Sequence, residues 1–433
     1  VSAPLPPLLQ SYRLASAAAE PIAWLWLGAR ARKGKEDASR RGERFGRDAR
    51  PRPFGLLIWL HAASVGESGV ALHLIDTLRA RHPGARFLVT TGTRTSAELI
   101  ARRAPDVLHA YAPLDTPSAC KRFIAHWRPD LGVFVESEIW PNLLLAAHSA
   151  ETKLALVNAR LSPKSLAGWA KRRASGAYLF SLFDALLCAD PRTAEALSPL
   201  RGERLIAHAN LKLAAPAPKL DEAALKAMRA EIGSRPLWIA ASTHDGEDEI
   251  ALAAHALVLR EHSGALLILI PRHPERGARI AQIANVAPRR ALGEAIGGAA
   301  VYVADTLGEL GLFYALAPVA LIAGSLLPHL KGHNPIEAAR LEASILSGPF
   351  VESFEDLFAA LEQAGGASIV RDPEAIAVQV SLLWRGEAER TRRLAAALSA
   401  LKGGEAALHV TISALEALLL AANPITVPAH ASA

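Results

Sequence analysis

Past residue 55 the chain alternates short apolar runs with longer amphipathic stretches, and that alternation constrains the fold more than any single motif does. Residues 56–60, 87–90, 131–135, 154–157 and 185–188 are mostly apolar runs bounded by Gly, Pro, Asp or Ser. Runs of this kind read as strands buried on both faces, and the stretches between them, such as 70–81 and 116–127, carry apolar residues at helical spacing. Strand–helix alternation builds a parallel sheet with helices on both faces. The pattern pauses over 211–221, where Ala214-Ala215-Pro216-Ala217-Pro218 cannot continue a helix. It restarts with 237–241, 266–270, 301–304, 319–323 and 344–346, and a long helical stretch, 387–422, follows the last run. The chain therefore reads as α/β, two doubly wound Rossmann-like domains facing a central cleft, with ligands expected at the carboxyl ends of the strands. The expected divisions are 1–45 for an N-terminal helix and basic segment, 46–212 for the first domain, 213–220 for a linker, 221–386 for the second domain, and 387–433 for a C-terminal helical segment bracing the two.

Residues 14–29 are mostly apolar, but Glu20 and Pro21 interrupt them, so the stretch is short and flawed against the roughly 20 apolar residues a spanning helix needs. Trp24 and Trp26 favour the headgroup region, and Arg30, Arg32, Lys33, Lys35, Arg40 and Arg41 follow with few acids between. Apolar body, tryptophans and basic skirt describe a membrane-associated helix lying in, or dipping into, an anionic cytoplasmic leaflet. Packing on the protein's own surface is the alternative. Positive charge follows the apolar run, which suits a cleaved signal peptide poorly. Across the chain 48 Lys and Arg against 42 Asp and Glu give +6, a modest excess that fits nucleic acid, an anionic bilayer or a phosphorylated substrate alike. The two cysteines, Cys120 and Cys188, cannot make a disulfide framework or a structural zinc ribbon, which points to a reducing compartment.

Several strand ends carry chemistry. The first run leads into His61-Ala62-Ala63-Ser64-Val65-Gly66-Glu67-Ser68-Gly69, where Gly66 lets backbone approach a ligand at a helix start and Glu67 sits on the first helical turn. Glu67 complements the helix dipole there, and it is also placed to take a proton from an attacking hydroxyl. The run 131–135 ends in Glu136-Ser137-Glu138-Ile139-Trp140-Pro141-Asn142, two acids that can pair with a cation or hydrogen-bond a polyhydroxyl substrate. Two acids alone are too few oxygens for a hard cation, so no metal site is expected. In the second half, Ser242-Thr243-His244-Asp245-Gly246-Glu247 follows a strand, and capping by Ser242 or Thr243 with acids in the first turn explains it structurally. Pro271-Arg272-His273-Pro274-Glu275-Arg276 brings two arginines to a strand end, where a guanidinium fork can hold phosphate. Gly324-Ser325 and then Gly332-His333-Asn334-Pro335-Ile336-Glu337 describe a glycine-rich loop, a proline at a helix start with Asn334 as its cap, and an acid one turn in that can reach ribose hydroxyls.

HAASVGES, ESEIWPN, Asn158-Ala159-Arg160-Leu161-Ser162, Asn210-Leu211-Lys212, STHDGEDE, PRHPER, Leu307-Gly308-Glu309-Leu310 and GHNPIEAA occur in this order. Together they resemble the 3-deoxy-D-manno-octulosonic acid (Kdo) transferase family of Gram-negative bacteria, over nearly the whole chain. The resemblance implies a GT-B glycosyltransferase with an acceptor-binding first domain and a CMP-sugar-binding second one. It implies CMP-Kdo as donor and a lipid A precursor (lipid IVA) as acceptor, at the cytoplasmic face of the inner membrane and against its anionic surface. It implies no cofactor, no metal and no nucleic-acid partner. By the same resemblance Glu67 is the general base, Glu136 and Lys212 stabilise the transition state, and the nucleotide falls on Pro271, Arg272, Leu307, Gly308, Glu309, Asn334, Pro335, Ile336 and Glu337. Ser64, Gly66 and Glu138 are candidates on the acceptor side. One departure stands out: His208 and Ala209 precede Asn210 where the family usually has Gly before its Asn-Leu-Lys. A sugar-nucleotide epimerase on the same plan, or a CMP-sugar- or lipid-binding protein without turnover, are the competing readings.

Overall fold

The computed structural model describes residues 4–422 apart from 33, 35, 209, 216 and 219. Lys33 and Lys35 of the basic segment, Ala209 before the Asn-Leu-Lys stretch, and Pro216 and Lys219 of the linker therefore lie outside the described residues. The chain divides into two compact units, Val1–Ala215 with Gly403–Ala433, and Pro216–Lys402.

The first unit holds β1 (Leu57–His61), β2 (Arg86–Thr91), β3 (Leu108–Tyr111), β4 (Leu131–Val135), β5 (Lys153–Ala159) and β6 (Ala185–Cys188), all parallel, in the order β3-β2-β1-β4-β5-β6. The second holds β7 (Leu237–Thr243), β8 (Leu266–Pro271), β9 (Val301–Val303), β10 (Val319–Ile322), β11 (Ser344–Ser347) and β12 (Ala367–Ile369), parallel in the order β12-β11-β10-β7-β8-β9. Renumbered from its own first strand, the second sheet repeats the order of the first. It is the doubly wound dinucleotide-fold order, whose ligand crevice lies where the strand order reverses. That point falls between β1 and β4 in one unit and between β7 and β10 in the other. The topology therefore brings together the loops carrying residues 62–67 and 136–140, and separately the loops carrying 242–247 and 323–335.

The continuous apolar runs follow from burial on both faces. In β1, Leu57 and Trp59 enter one core with Leu88, Phe134 and Leu154, while Ile58 and Leu60 enter the other with Val89, Val133 and Val157. Period-2 geometry sends neighbours to opposite faces, and helices cover both, so every residue of the strand is apolar or hydrogen-bonded.

Two strands escape the sequence reading, β3 and β12. Both are short and interrupted by a polar side chain (Leu108-His109-Ala110-Tyr111 and Ala367-Ser368-Ile369), so neither makes an apolar run. The stretch 387–422 reads in sequence as one helical segment, whereas the structure breaks it into Glu387–Leu401, counted in the second unit, and Gly403–Ala422, counted in the first. The break is at Lys402, directly before Gly403-Gly404. The Gly403–Ala422 helix buries Ala407, Ile412, Leu415 and Leu419 in the core of the first unit. By length and composition Glu387–Ala422 is the one stretch among the described residues apolar enough to cross a membrane, although that burial gives its apolar face a partner within the protein.

The N-terminal helix runs Pro7–Arg32, through Pro21. One face docks on the first unit. Leu9 is buried, Tyr12 donates its hydroxyl to Asp115 at 2.8 Å, Ser16 Oγ accepts from Asn142 Nδ2 at 3.0 Å, and Glu20 takes Arg122 at 2.8 Å together with the hydroxyls of Thr116 and Ser118. Glu20, a flaw in a spanning helix, is thus an anchor to the protein. The opposite face leaves Leu14, Ile22 and Leu25 about 70 % exposed (74, 68 and 72 %). The basic segment is less available than its sequence implies. Arg30 pairs with Glu36, Arg40 forks onto Glu43 and also reaches His109 O, and Arg41 stacks on Trp24 at 4.8 Å.

Candidate active site

In the first unit, the helix Val65–Arg81 begins with a capping box. Ser64 Oγ accepts from Glu67 N–H at 3.3 Å, and the Glu67 carboxylate reaches back, Oε1 accepting Ser64 Oγ–H at 2.8 Å and Oε2 accepting Ala63 N–H at 2.7 Å. Glu67 is 7 % exposed. Burial raises its pKa, the hydrogen bonds from Ser64 and Ala63 oppose that, and the negative charges of Glu138 and Glu136 add to it, for a net upward shift. The carboxylate keeps free lone pairs on both oxygens, since two acceptor sites of about four are used.

Glu136 follows β4 directly and takes a left-handed backbone, φ 64°. Such a conformation costs a non-glycine residue about 1–2 kcal/mol, and it presents the carboxylate to Lys212, whose Nζ lies 2.6 Å from Oε1. Lys212 sits in a 3₁₀ turn, Leu211–Ala214. Asn210 Oδ1 accepts the Lys212 N–H at 2.9 Å and Asn158 Oδ1 accepts the Leu211 N–H at 2.8 Å, so the end of β5 holds the turn. The ammonium lies over Gly66: a Cβ there would be 3.9 Å from Nζ. Glu138 Oε2 accepts Trp140 Nε1–H at 2.6 Å and lies 3.4 Å from His61 Nε2. Burial pushes Glu138 up, but hydrogen bonding and charge from His61 and the bond from Trp140 outweigh it and hold the group below the ordinary carboxylate value. Ser64, Gly66, Glu67, Glu136, Glu138 and Lys212 thus form one cluster. His61 joins it without having been singled out in sequence. Its ring is buried in the strand end, with Nδ1 2.8 Å from Thr90 Oγ1.

In the second unit the central feature is Glu247, which the sequence reading took only as an acid suited to a helix's first turn. The cap of the helix Glu247–Glu261 is Gly246 with φ 90°, and neither Ser242 nor Thr243 caps it. Glu247, fully buried, accepts four backbone N–H groups: His244 at 2.9 Å, Gly324 at 2.7 Å, Ser325 at 2.9 Å and Leu326 at 3.0 Å. It ties the loop after β7 to the loop after β10, and no local sequence signal reveals it. Above it His244 and His333 stack, centroids 5.3 Å apart and planes 15° apart, with their Nε2 atoms 3.0 Å apart, so one donates to the other. Burial, then the neighbouring His244 and Arg272, hold His333 down to about 4; burial, opposed by Glu247, also lowers His244. Gly324 makes room for the pair, because a Cβ there would lie 2.4 Å from the His333 ring.

The expected nucleotide residues separate into groups. Pro271 ends β8, and Arg272 donates its N–H to Thr243 O at 3.0 Å while its exposed side chain makes no hydrogen bond or ion pair among the described residues. Arg276, the other arginine of that stretch, is spent on Thr243 O and Asp248. Leu307 is exposed and Gly308 takes φ 87°. Glu309 is held by both Nε and Nη2 of Arg290 and by Thr306, which lower its pKa, so its carboxylate is already occupied. Asn334 Oδ1 accepts the Ile336 N–H at 3.0 Å, Pro335 occupies the cap, and Ile336 is buried. The helix they open, Ile336–Arg340, has five residues; its cap is Pro335, where the sequence reading placed Asn334, and Glu337 falls on its first turn instead of one turn in. No group of three or more His, Cys, Asp or Glu is arranged to hold a metal among the described residues.

Comparison with known proteins adds three findings. Residues 39–215 match the family described as 3-deoxy-D-manno-octulosonic-acid transferase (kdotransferase). A 3-deoxy-D-manno-octulosonic acid transferase of Bordetella pertussis is 35 % identical over 433 residues, covering 94 % of this chain and 98 % of the relative, and one of Haemophilus influenzae is 31 % identical over 390 residues, covering 86 % and 90 %. Among solved structures, a UDP-GlcNAc 2-epimerase of Neisseria meningitidis bound to UDP-GlcNAc matches with TM-score 0.56, 14 % identity and coverage of 84 % and 100 %. A glycosyltransferase of Rickettsia africae matches with TM-score 0.54, 12 % identity and coverage of 85 % and 99 %. At those identities the structures speak to the fold alone, which is GT-B.

Proposed function

Since this chain belongs to the 3-deoxy-D-manno-octulosonic acid (Kdo) transferase family, we propose that the enzyme moves Kdo from CMP-Kdo to a lipid A precursor, lipid IVA, with Glu67 as general base. The observation that carries the proposal is a carboxylate fixed by two hydrogen bonds, 7 % exposed, and pushed up by that burial and then by two neighbouring acids. A carboxylate whose pKa is shifted upward is a stronger base than an exposed one. The acceptor hydroxyl oxygen attacks the anomeric carbon of Kdo and its proton passes to Glu67. The bond from that carbon to the phosphate oxygen breaks, and CMP leaves with the electron pair as a phosphate monoester. The sugar passes through an oxocarbenium-like state, and one displacement without an enzyme nucleophile inverts the anomeric centre. Lys212, steered by Glu136, and Arg272 offset the developing charge. Asn334 and Glu337 serve the nucleotide, and no metal is required.

The exposed apolar face of the N-terminal helix, with Trp24 and Trp26 at its end, supports attachment to the cytoplasmic face of the inner membrane, where a lipid acceptor resides. The competing epimerase reading shares the fold, and the sequence relatives favour transfer.

Incubation with CMP-Kdo and lipid IVA, followed by mass spectrometry, tests this reading. Glu67→Ala should lower transfer about 10²- to 10⁴-fold while leaving CMP affinity unchanged, and a chelator should leave the wild-type rate intact. Near-normal transfer by Glu67→Ala would remove Glu67 from the mechanism.

A further inference from the structure

A cavity of about 220 Å³ opens at the carboxyl ends of β1 and β4 in the first unit. His61, Ala63, Glu138 and Trp140 line it from the strand-end loops, and Trp26 and Arg30 line it from the last turns of the N-terminal helix. Ala63 also donates its N–H to Glu67 Oε2, so the cavity adjoins the base. Its chemistry is specific. Glu138 Oε2 is taken by Trp140 and faces His61, while Oε1 accepts no hydrogen bond among the described residues. Trp26 is 52 % exposed, with the Arg30 guanidinium over its ring at 4.8 Å.

The helix wall is latched in place. Glu36 accepts from Arg30 Nε at 3.0 Å and from Arg44 at 3.0 and 3.1 Å, and Arg44 also donates to the carbonyls of Gly92 and Ala112. One buried acid therefore pairs with both cations, and Glu138 supplies the second negative charge that balances them. Aromatic faces, an open carboxylate oxygen and no surplus positive charge suit a hydroxylated ring and do not suit a phosphate. The volume lies below the roughly 300–1,000 Å³ of pockets for larger ligands, which favours a single ring.

We propose that Trp26 and Glu138 hold one sugar ring of the acceptor, so that the N-terminal helix forms a wall of the acceptor site as well as a membrane attachment. The proposal rests on the transferase reading above. It makes Trp26 a specificity-determining residue on a helix whose sequence looks like an anchor.

The test uses the full chain with lipid IVA in phospholipid vesicles as acceptor and the deacylated lipid IVA headgroup, free in solution, as competitor. The headgroup should inhibit the wild-type enzyme competitively against lipid IVA. Its inhibition constant should rise about tenfold in Trp26→Ala and in Trp26→Leu, the latter keeping apolar bulk should the alanine chain fold poorly. Trp26→Phe should restore most of it. Trp24→Ala, outside the cavity, should leave the constant unchanged while weakening vesicle binding. No competition with the wild-type enzyme overturns the proposal, as does an unchanged constant in the Trp26 variants with only the vesicle rate reduced, which marks the helix as an anchor alone. Failure of the transferase reading is distinguishable, because the wild-type enzyme would then move no Kdo to lipid IVA before any variant is compared, and both readings would fall together.

Discussion

At Glu67 a structural role and the proposed catalytic one meet in one side chain. The capping box stabilises the start of the Val65–Arg81 helix by about 1 kcal/mol, a sufficient structural reason for Ser-x-x-Glu at 64–67. The same two hydrogen bonds hold the carboxylate in one orientation and leave lone pairs for an acceptor hydroxyl. The spacing of residues 64–67 is legible in sequence. The neighbours that tune the group are not, because Glu136 and Glu138 arrive from a strand far along the chain. Their effect can be measured. Glu67 lies above the ordinary carboxylate value of 4.5, and as the proposed base it must be ionised to act, so kcat/KM should rise with pH through its shifted pKa, placing the acid limb of the profile above 4.5. Glu138 is ionised where that limb falls, and its charge helps raise Glu67. Glu138→Gln removes that charge, so the acid limb should move to lower pH whatever happens to its height. A limb that stays put or moves up would mean that Glu138 does not act on the base.

The elements that carry the cluster are short and depend on their packing. The turn Leu211–Ala214 presents Lys212, and the Gly403–Ala422 helix packs directly on it. A Cβ at Gly404 would lie 2.4 Å from Ala214 N and 2.4 Å from Leu213 C, with backbone on both counts. Gly→Ala in a helix usually stabilises by about 1 kcal/mol, but here overpacking against backbone should reverse the sign, at a cost of about 1–3 kcal/mol. Gly404→Ala should therefore lower the thermal midpoint of the first unit and reduce kcat through Lys212, with CMP affinity unchanged. A stabilised, fully active variant would show that the turn tolerates displacement. The sequence reading ran one helical stretch through Gly403-Gly404. The contact of Gly404 with residues 213 and 214 is visible only once the helix is folded back.

For the whole molecule, connectivity matters more than any one contact. The chain leaves the first unit at Ala215 and returns to it at Gly403, so the second unit is continuous in sequence while the first is closed by its last helix. A chain ending at Lys402 should lose Kdo transfer and show a destabilised first unit, because Ala407, Ile412, Leu415 and Leu419 leave its core. Its second unit should still bind CMP, read by calorimetry as a transition stabilised by about 2.7 kcal/mol at a hundredfold excess over Kd. Loss of CMP binding would mean that the second unit depends on the C-terminal helix. Period-2 burial and helical spacing are local, so the alternation of runs alone determined two doubly wound sheets, and motif order pointed to the family. Strands β3 and β12 lay below that signal, since each is short and carries a polar side chain that interrupts any apolar run. What only the tertiary structure decided is which strand ends meet. Strand order, a long-range property, seats Glu136, Glu138 and Lys212 around Glu67, gathers four backbone N–H groups onto Glu247, spends Arg276 and Glu309 on internal partners, and turns Trp26 from an anchoring residue into the wall of a cavity. Charges and hydrogen bonds act through space, and the separation that governs them is set by the fold, not by distance along the chain.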